Sequence, residues 1–96
     1  MKKVEPVIRV DNAEVRVTEW RFEPGAATGH HRHEFDYVVV PLVDGSLRLI
    51  AADGESSAEL RKGVAYFRKA GVEHDVINAG DKPLAFVEIE LLDHPL

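Results

Sequence analysis

Apolar and polar residues alternate one by one along several short stretches. Val15-Arg16-Val17, Leu47-Arg48-Leu49 and Val87-Glu88-Ile89-Glu90-Leu91 all follow this pattern. A period of two sends successive side chains to opposite faces, which predicts antiparallel strands with one buried and one wet side. Val38, Val39 and Val40 add a β-branched run suited to a strand. Turn chemistry recurs between these runs, at Asp11-Asn12, Pro24-Gly25, Asp44-Gly45, Asp53-Gly54, Ala70-Gly71 and Ala79 to Pro83. Asp-Gly favours tight hairpins because the chain there reaches positive φ. No stretch of about ten residues carries a clean helical stripe. Many short strands at this spacing predict a sandwich or barrel. One irregularity stands out: Val15 and Val17 have odd parity, Trp20 and Phe22 even. Either a bulge near Thr18-Glu19 shifts the register, or the aromatics face a second surface.

Bulk properties narrow the class. A chain of 96 residues makes one domain, residues 1–96, with a modest core. Lys and Arg number 12 against 17 Asp and Glu, a formal charge of -5. Such a surface repels phosphate backbones, so nucleic acid is not an expected partner. No basic run suits a membrane surface, and no apolar stretch nears the ~20 residues of a membrane helix. Met1-Lys2-Lys3 is followed by Val4-Glu5-Pro6 rather than by an apolar run, so the expected compartment is cytoplasmic. With no cysteine, neither disulfides nor thiolate ligands are available.

The five histidines sit at positions 30, 31, 33, 74 and 94. On a strand, His31 and His33 point the same way and make a two-point metal clamp, with His30 and Arg32 on the other face. His74 follows the Gly71-Val72-Glu73 turn and leads into Val76-Ile77. In a barrel those two strands can be neighbours, which brings a third imidazole to the same point.

Gly25, His31-Arg32-His33 and Gly45, followed by Gly63, Lys69-Ala70-Gly71, His74 and Asn78, resemble the two sequence motifs of the cupin family, over residues 25–45 and 63–78. The resemblance implies an all-β, single-domain jelly-roll barrel (a double-stranded β-helix) holding a divalent metal on His31, His33 and His74. One family position differs. The first motif's glutamate falls at Tyr37 counted from His33, or at Val38 counted back from Gly45, and neither is a carboxylate. Two arrangements remain open: Asp36 reaches the metal through an altered loop, with Tyr37 over the site, or the site is a bare three-histidine cluster. Loss of a hard oxygen ligand shifts preference from manganese towards iron, nickel, copper or zinc. Lys69, standing where the family has proline, leaves its turn less rigid. Asn78 can bond backbone groups and hold the strand that carries His74. The stretch from Arg32 to Leu42 is similar to small cupins of β-alanine breakdown.

The function this implies is a small-molecule metalloenzyme of dioxygenase or isomerase/lyase type, using iron, nickel or zinc. Asp36 and Tyr37 are its candidate catalytic residues, and Arg32 and Glu34 also lie near the site. Trp20, Phe22, Tyr66, Phe67 and Phe86 are candidates to line the barrel. The alternative is a non-catalytic ligand-binding or regulatory module. Open sheet edges and split parity predict a homodimer.

Overall fold

The computed structural model describes residues 2–92. His94, the fifth histidine, lies outside them. The described residues form nine strands and no helix: β1 (Val4–Asp11), β2 (Val15–Phe22), β3 (His31–Arg32), β4 (Tyr37–Pro41), β5 (Gly45–Ala51), β6 (Gly54–Leu60), β7 (Tyr66–Arg68), β8 (Glu73–Asn78) and β9 (Leu84–Leu91). They build a five-stranded sheet in the order β1-β2-β9-β4-β7 and a four-stranded sheet in the order β3-β8-β5-β6. Every strand pairing is antiparallel. The inner faces of the two sheets enclose Phe22, Tyr37, Val39, Leu47, Leu60, Val76, Leu84 and Phe86. This is the jelly-roll barrel, and no helix is long and apolar enough to cross a membrane.

Register resolves the parity question. β2 runs unbroken against β9 from Val15↔Leu91 to Phe22↔Leu84, so β2 itself carries no bulge at Thr18-Glu19. The bulge sits in β1, between Ile8 and Val10. The aromatics and valines of β2 therefore face opposite surfaces. Phe22 stacks on Phe86 inside, with centroids 5.6 Å apart.

β9 corrects the simplest reading of its alternation. Its polar residues Glu88 and Glu90 share the inward row with Leu84 and Phe86, while Val87, Ile89 and Leu91 point outward. Val17, Val38 and Val40 pair with that outward row. Phe67 pairs with Val38 and is 49% exposed, so it belongs to the outer surface and not to the barrel lining.

Two motif residues shape the barrel ends. A Cβ on Gly45 would stand 2.1 Å from Leu84 Cδ2, so glycine lets the strand pass the core there. Asn78 is buried; its Nδ2 donates to the Lys82 carbonyl at 2.8 Å and its Oδ1 accepts the Gly80 N–H at 3.0 Å. That ties down the end of β8, the strand on which His74 rides.

Candidate metal centre

β3 lies antiparallel to β8 with His31 directly opposite His74. His33 follows two residues later on the same side. Its backbone is clamped from both directions: its N–H donates to the Val72 carbonyl at 2.9 Å, and its carbonyl accepts the Gly71 N–H at 2.8 Å. Gly71 adopts φ 94°, a conformation that glycine reaches without steric cost. The two motifs are thus locked together by backbone, and the three imidazoles converge.

The convergence is close. His33 Nε2 lies 3.1 Å from His31 Nε2 and 3.2 Å from His74 Nε2. His31 Nδ1 lies 2.9 Å from the Gly29 carbonyl oxygen and 3.2 Å from Thr28 Oγ1. A carbonyl can only accept, so Nδ1 carries the proton and Nε2 turns a lone pair to the cluster. Thr28 is held in turn, since its Oγ1 accepts the Val76 N–H at 3.2 Å and donates to the Gly29 carbonyl at 2.9 Å.

These residues fit a metal ion. Imidazole nitrogens about 2.0–2.1 Å from a metal, at tetrahedral to octahedral angles, stand roughly 2.8–3.4 Å apart, which both His33 separations match, and the ligand atoms of all three histidines lie within 4.8 Å of one another. Burial pushes His33 down to about 4, helped by the His31 and His74 imidazoles. Burial likewise pushes His74 down to about 4, with His31 and Arg68 adding to it. Both are therefore neutral at pH 7, the form that donates a lone pair. Among the described residues, no carboxylate joins the cluster.

Asp36 and Tyr37 take separate places. Asp36 Oδ1 accepts the Ala70 N–H at 2.8 Å, and Lys69 Nζ lies 3.9 Å from its other oxygen. The carboxylate is engaged with the turn before β8. Tyr37 is buried and stacks on His33, centroids 4.1 Å apart and planes 23° apart. Burial, and then the charge of Glu88, raises its phenol well above the ordinary range, so it stays protonated. His30 points outward to Glu73 at 3.3 Å. Arg32 and Glu34 line a second groove together with Arg16, His33 and Glu90.

The histidines open onto a cavity of about 220 Å³ inside the barrel. Trp20, Tyr66 and Phe86 supply its aromatic wall, and Arg68 and Glu88 bring charge. Arg68 lies over the Tyr66 ring, 4.5 Å from its centroid. Reasoning from sequence missed Thr28, Arg68 and Glu88 as site residues. For Glu88 the available signal was the alternation in β9, which separates two faces without saying which one is enclosed.

Comparison with known proteins agrees with this architecture. Residues 18–90 match the cupin domain family. The chain is 63% identical over 86 residues, 90% of either chain, to the beta-alanine degradation protein BauB of Pseudomonas aeruginosa. The crystal structure of a cupin domain from Bordetella pertussis Tohama I is 51% identical, with a TM-score of 0.90 over 92% of each chain. The polyketide cyclase RemF of Streptomyces resistomycificus, at 21% identity, shares the fold with a TM-score of 0.76 over 99% of this chain and 70% of that one. On its sequence and its barrel alike, this chain belongs to the cupin family.

Proposed function

We propose that this protein is a metal-dependent enzyme acting on a small polar metabolite, of dioxygenase or isomerase/lyase type. His31, His33 and His74 would hold one divalent transition metal. The observation that carries this reading is three imidazoles converging on the wall of a largely apolar cavity. The absence of a carboxylate from that cluster among the described residues favours iron, nickel or zinc over manganese. When bound, the metal supplies Lewis acidity and open positions for ligand oxygen atoms. The name of the Pseudomonas relative supports a substrate from amino-acid breakdown.

The chain's own residues take distinct roles in this reading. Tyr37, a protonated phenol stacked on His33, orients that imidazole and limits water on its face. Asp36 is assigned to positioning, since its carboxylate holds the turn that delivers His74. The test has two stages: elemental analysis of protein purified without a metal-affinity tag, then turnover of small amino-acid-derived substrates by metal-loaded protein. About one metal per chain with turnover supports the reading. Ligand binding without turnover would identify a binding module instead.

We also propose a homodimer. The outer face of the five-stranded sheet carries a row of part-exposed Val17, Val38, Val87 and Ile89, bordered by exposed Phe67. A contiguous apolar sheet face of this kind is covered in stable proteins. A second copy supplies the same flat row across a two-fold axis, so one surface matches itself.

A further inference from the structure

Glu88 is a buried acid, 9% exposed, on the inward row of β9. It lines the same cavity as His31, His33 and His74. A carboxylate removed from water is kept charged only by a partner of opposite sign. None of the ion pairs among the described residues includes Glu88. Arg68, which lines the same cavity, lies over the Tyr66 ring and forms none of these pairs. The other groups facing Glu88 do not supply the charge. Glu90 on its own strand repels it, Tyr37 and Tyr66 are protonated phenols, and Trp20 from β2 offers only an indole N–H. In keeping with this, burial and then Glu90 push the Glu88 carboxyl up to about 7.

We propose that Glu88 recognises a primary ammonium group, so the ligand of this cavity carries an ammonium at one end and an oxygen donor for the histidine cluster at the other. The ammonium half stands on Glu88 alone, whereas the oxygen half rests on the metal reading above. An ammonium supplies both the missing positive charge and the N–H donors that a carboxylate accepts. The rings of Trp20, Tyr66 and Phe86 line the same cavity. Size agrees with a small metabolite, since about 220 Å³ falls below the span of drug-sized sites.

Three probes separate the two ends: propan-1-amine with the ammonium only, propanoate with the oxygen donor only, and 3-aminopropanoate with both. Binding is measured by calorimetry on metal-free and Zn²⁺-loaded protein, alongside the side-chain ¹³C carboxyl resonance of Glu88. Propan-1-amine is expected to move that resonance in metal-free protein. Glu88→Gln should weaken propan-1-amine and 3-aminopropanoate about tenfold or more, the measure of a lost charge-assisted bond, and leave propanoate unchanged. If Glu88→Gln fails to fold, the wild-type resonance alone decides. A resonance unmoved by propan-1-amine, or equal 3-aminopropanoate affinity in wild type and variant, overturns the assignment. Loss of propanoate binding to Zn²⁺-treated protein, with the amine response intact, would instead refute the metal reading and leave Glu88 as the ammonium site.

Discussion

The carboxylate of Asp36 accepts the Ala70 N–H at 2.8 Å, a bond that ties the loop after His33 to the turn before His74. Its sequence partner is the turn in which Lys69 stands where cupins carry proline. A side-chain acceptor thus does some of the stiffening that a proline ring would do. Asp36→Asn keeps a carbonyl oxygen for the same N–H, so metal affinity should change little. Asp36→Ala removes the acceptor and should cost about 1 kcal/mol of stability, with a modest loss of affinity through positioning. His33→Ala should abolish tight binding. Calorimetric titration with Zn²⁺ ranks the three, and an Asp36→Asn loss as complete as that of His33→Ala would make Asp36 a ligand.

Orientation of His31 depends on groups outside the histidine cluster. Gly29 fixes the tautomer through its carbonyl, and Thr28 braces both that carbonyl and the ring. Outer partners of this kind are worth about 10- to 100-fold in metal affinity. Thr28→Val, nearly the same shape, should therefore weaken Zn²⁺ about tenfold without unfolding the protein. His74→Ala should empty the site, whereas His30→Ala should leave occupancy unchanged because His30 faces Glu73 outside. Equal occupancy in the two histidine variants would remove His74 from the cluster.

The outer row of the five-stranded sheet makes the dimer testable. Ile89 stands between Val17 and Val38 on that face, away from the cavity. Light scattering at micromolar concentration should give twice the 10.7 kDa of one chain. Ile89→Lys places a charge on each side of the two-fold axis and should return the mass to that of the monomer, with metal binding retained. A monomeric wild type would contradict the proposal.

Much of the site was readable because strand geometry is local. A two-residue spacing places His31 and His33 on one face whatever surrounds them, and the motif spacing carries His74 to the facing strand. Inside and outside were less legible. Alternation in Val87 to Leu91 separates two faces, yet the row that runs inward with Leu84 and Phe86 carries Glu90 and Glu88, the second of which lines the cavity. The valines then take the outer face, where another surface can cover them. Phe67 carries the same ambiguity: parity alone sets it apart from its neighbour Tyr66, and Tyr66 has the inward place. Asp36 shows a different limit. Its distance in sequence from His33 says nothing about whether its carboxylate turns to a metal or to the Ala70 N–H.

Acid stability reports the same buried groups. His33 and His74 sit at about 4 in the folded protein, below the unperturbed value of about 6.5. Between those values the unfolded chain binds protons that the folded one refuses, so metal-free protein loses stability as pH falls from about 6.5 to about 4. Glu88 works in reverse. Its folded value is about 7 against an ordinary 4.5, so the folded state holds an extra proton in that window. Its contribution is present below 4.5 and lost as pH rises through 7. Two groups outweigh one, and metal-free stability should climb from pH 4 to a maximum near 6.5, then decline slightly. Urea midpoints across this range measure the curve. Glu88→Gln should abolish the decline and steepen the acid limb, since its opposing proton is gone. Saturating Zn²⁺ should raise the midpoint at pH 7, because the ion binds only the assembled histidines, and the gain should shrink towards pH 4 as protons displace it. A midpoint that stays level from pH 4 to 6.5 without metal would mean that His33 and His74 titrate as freely as they do in the unfolded chain, and that the cluster is not buried in solution.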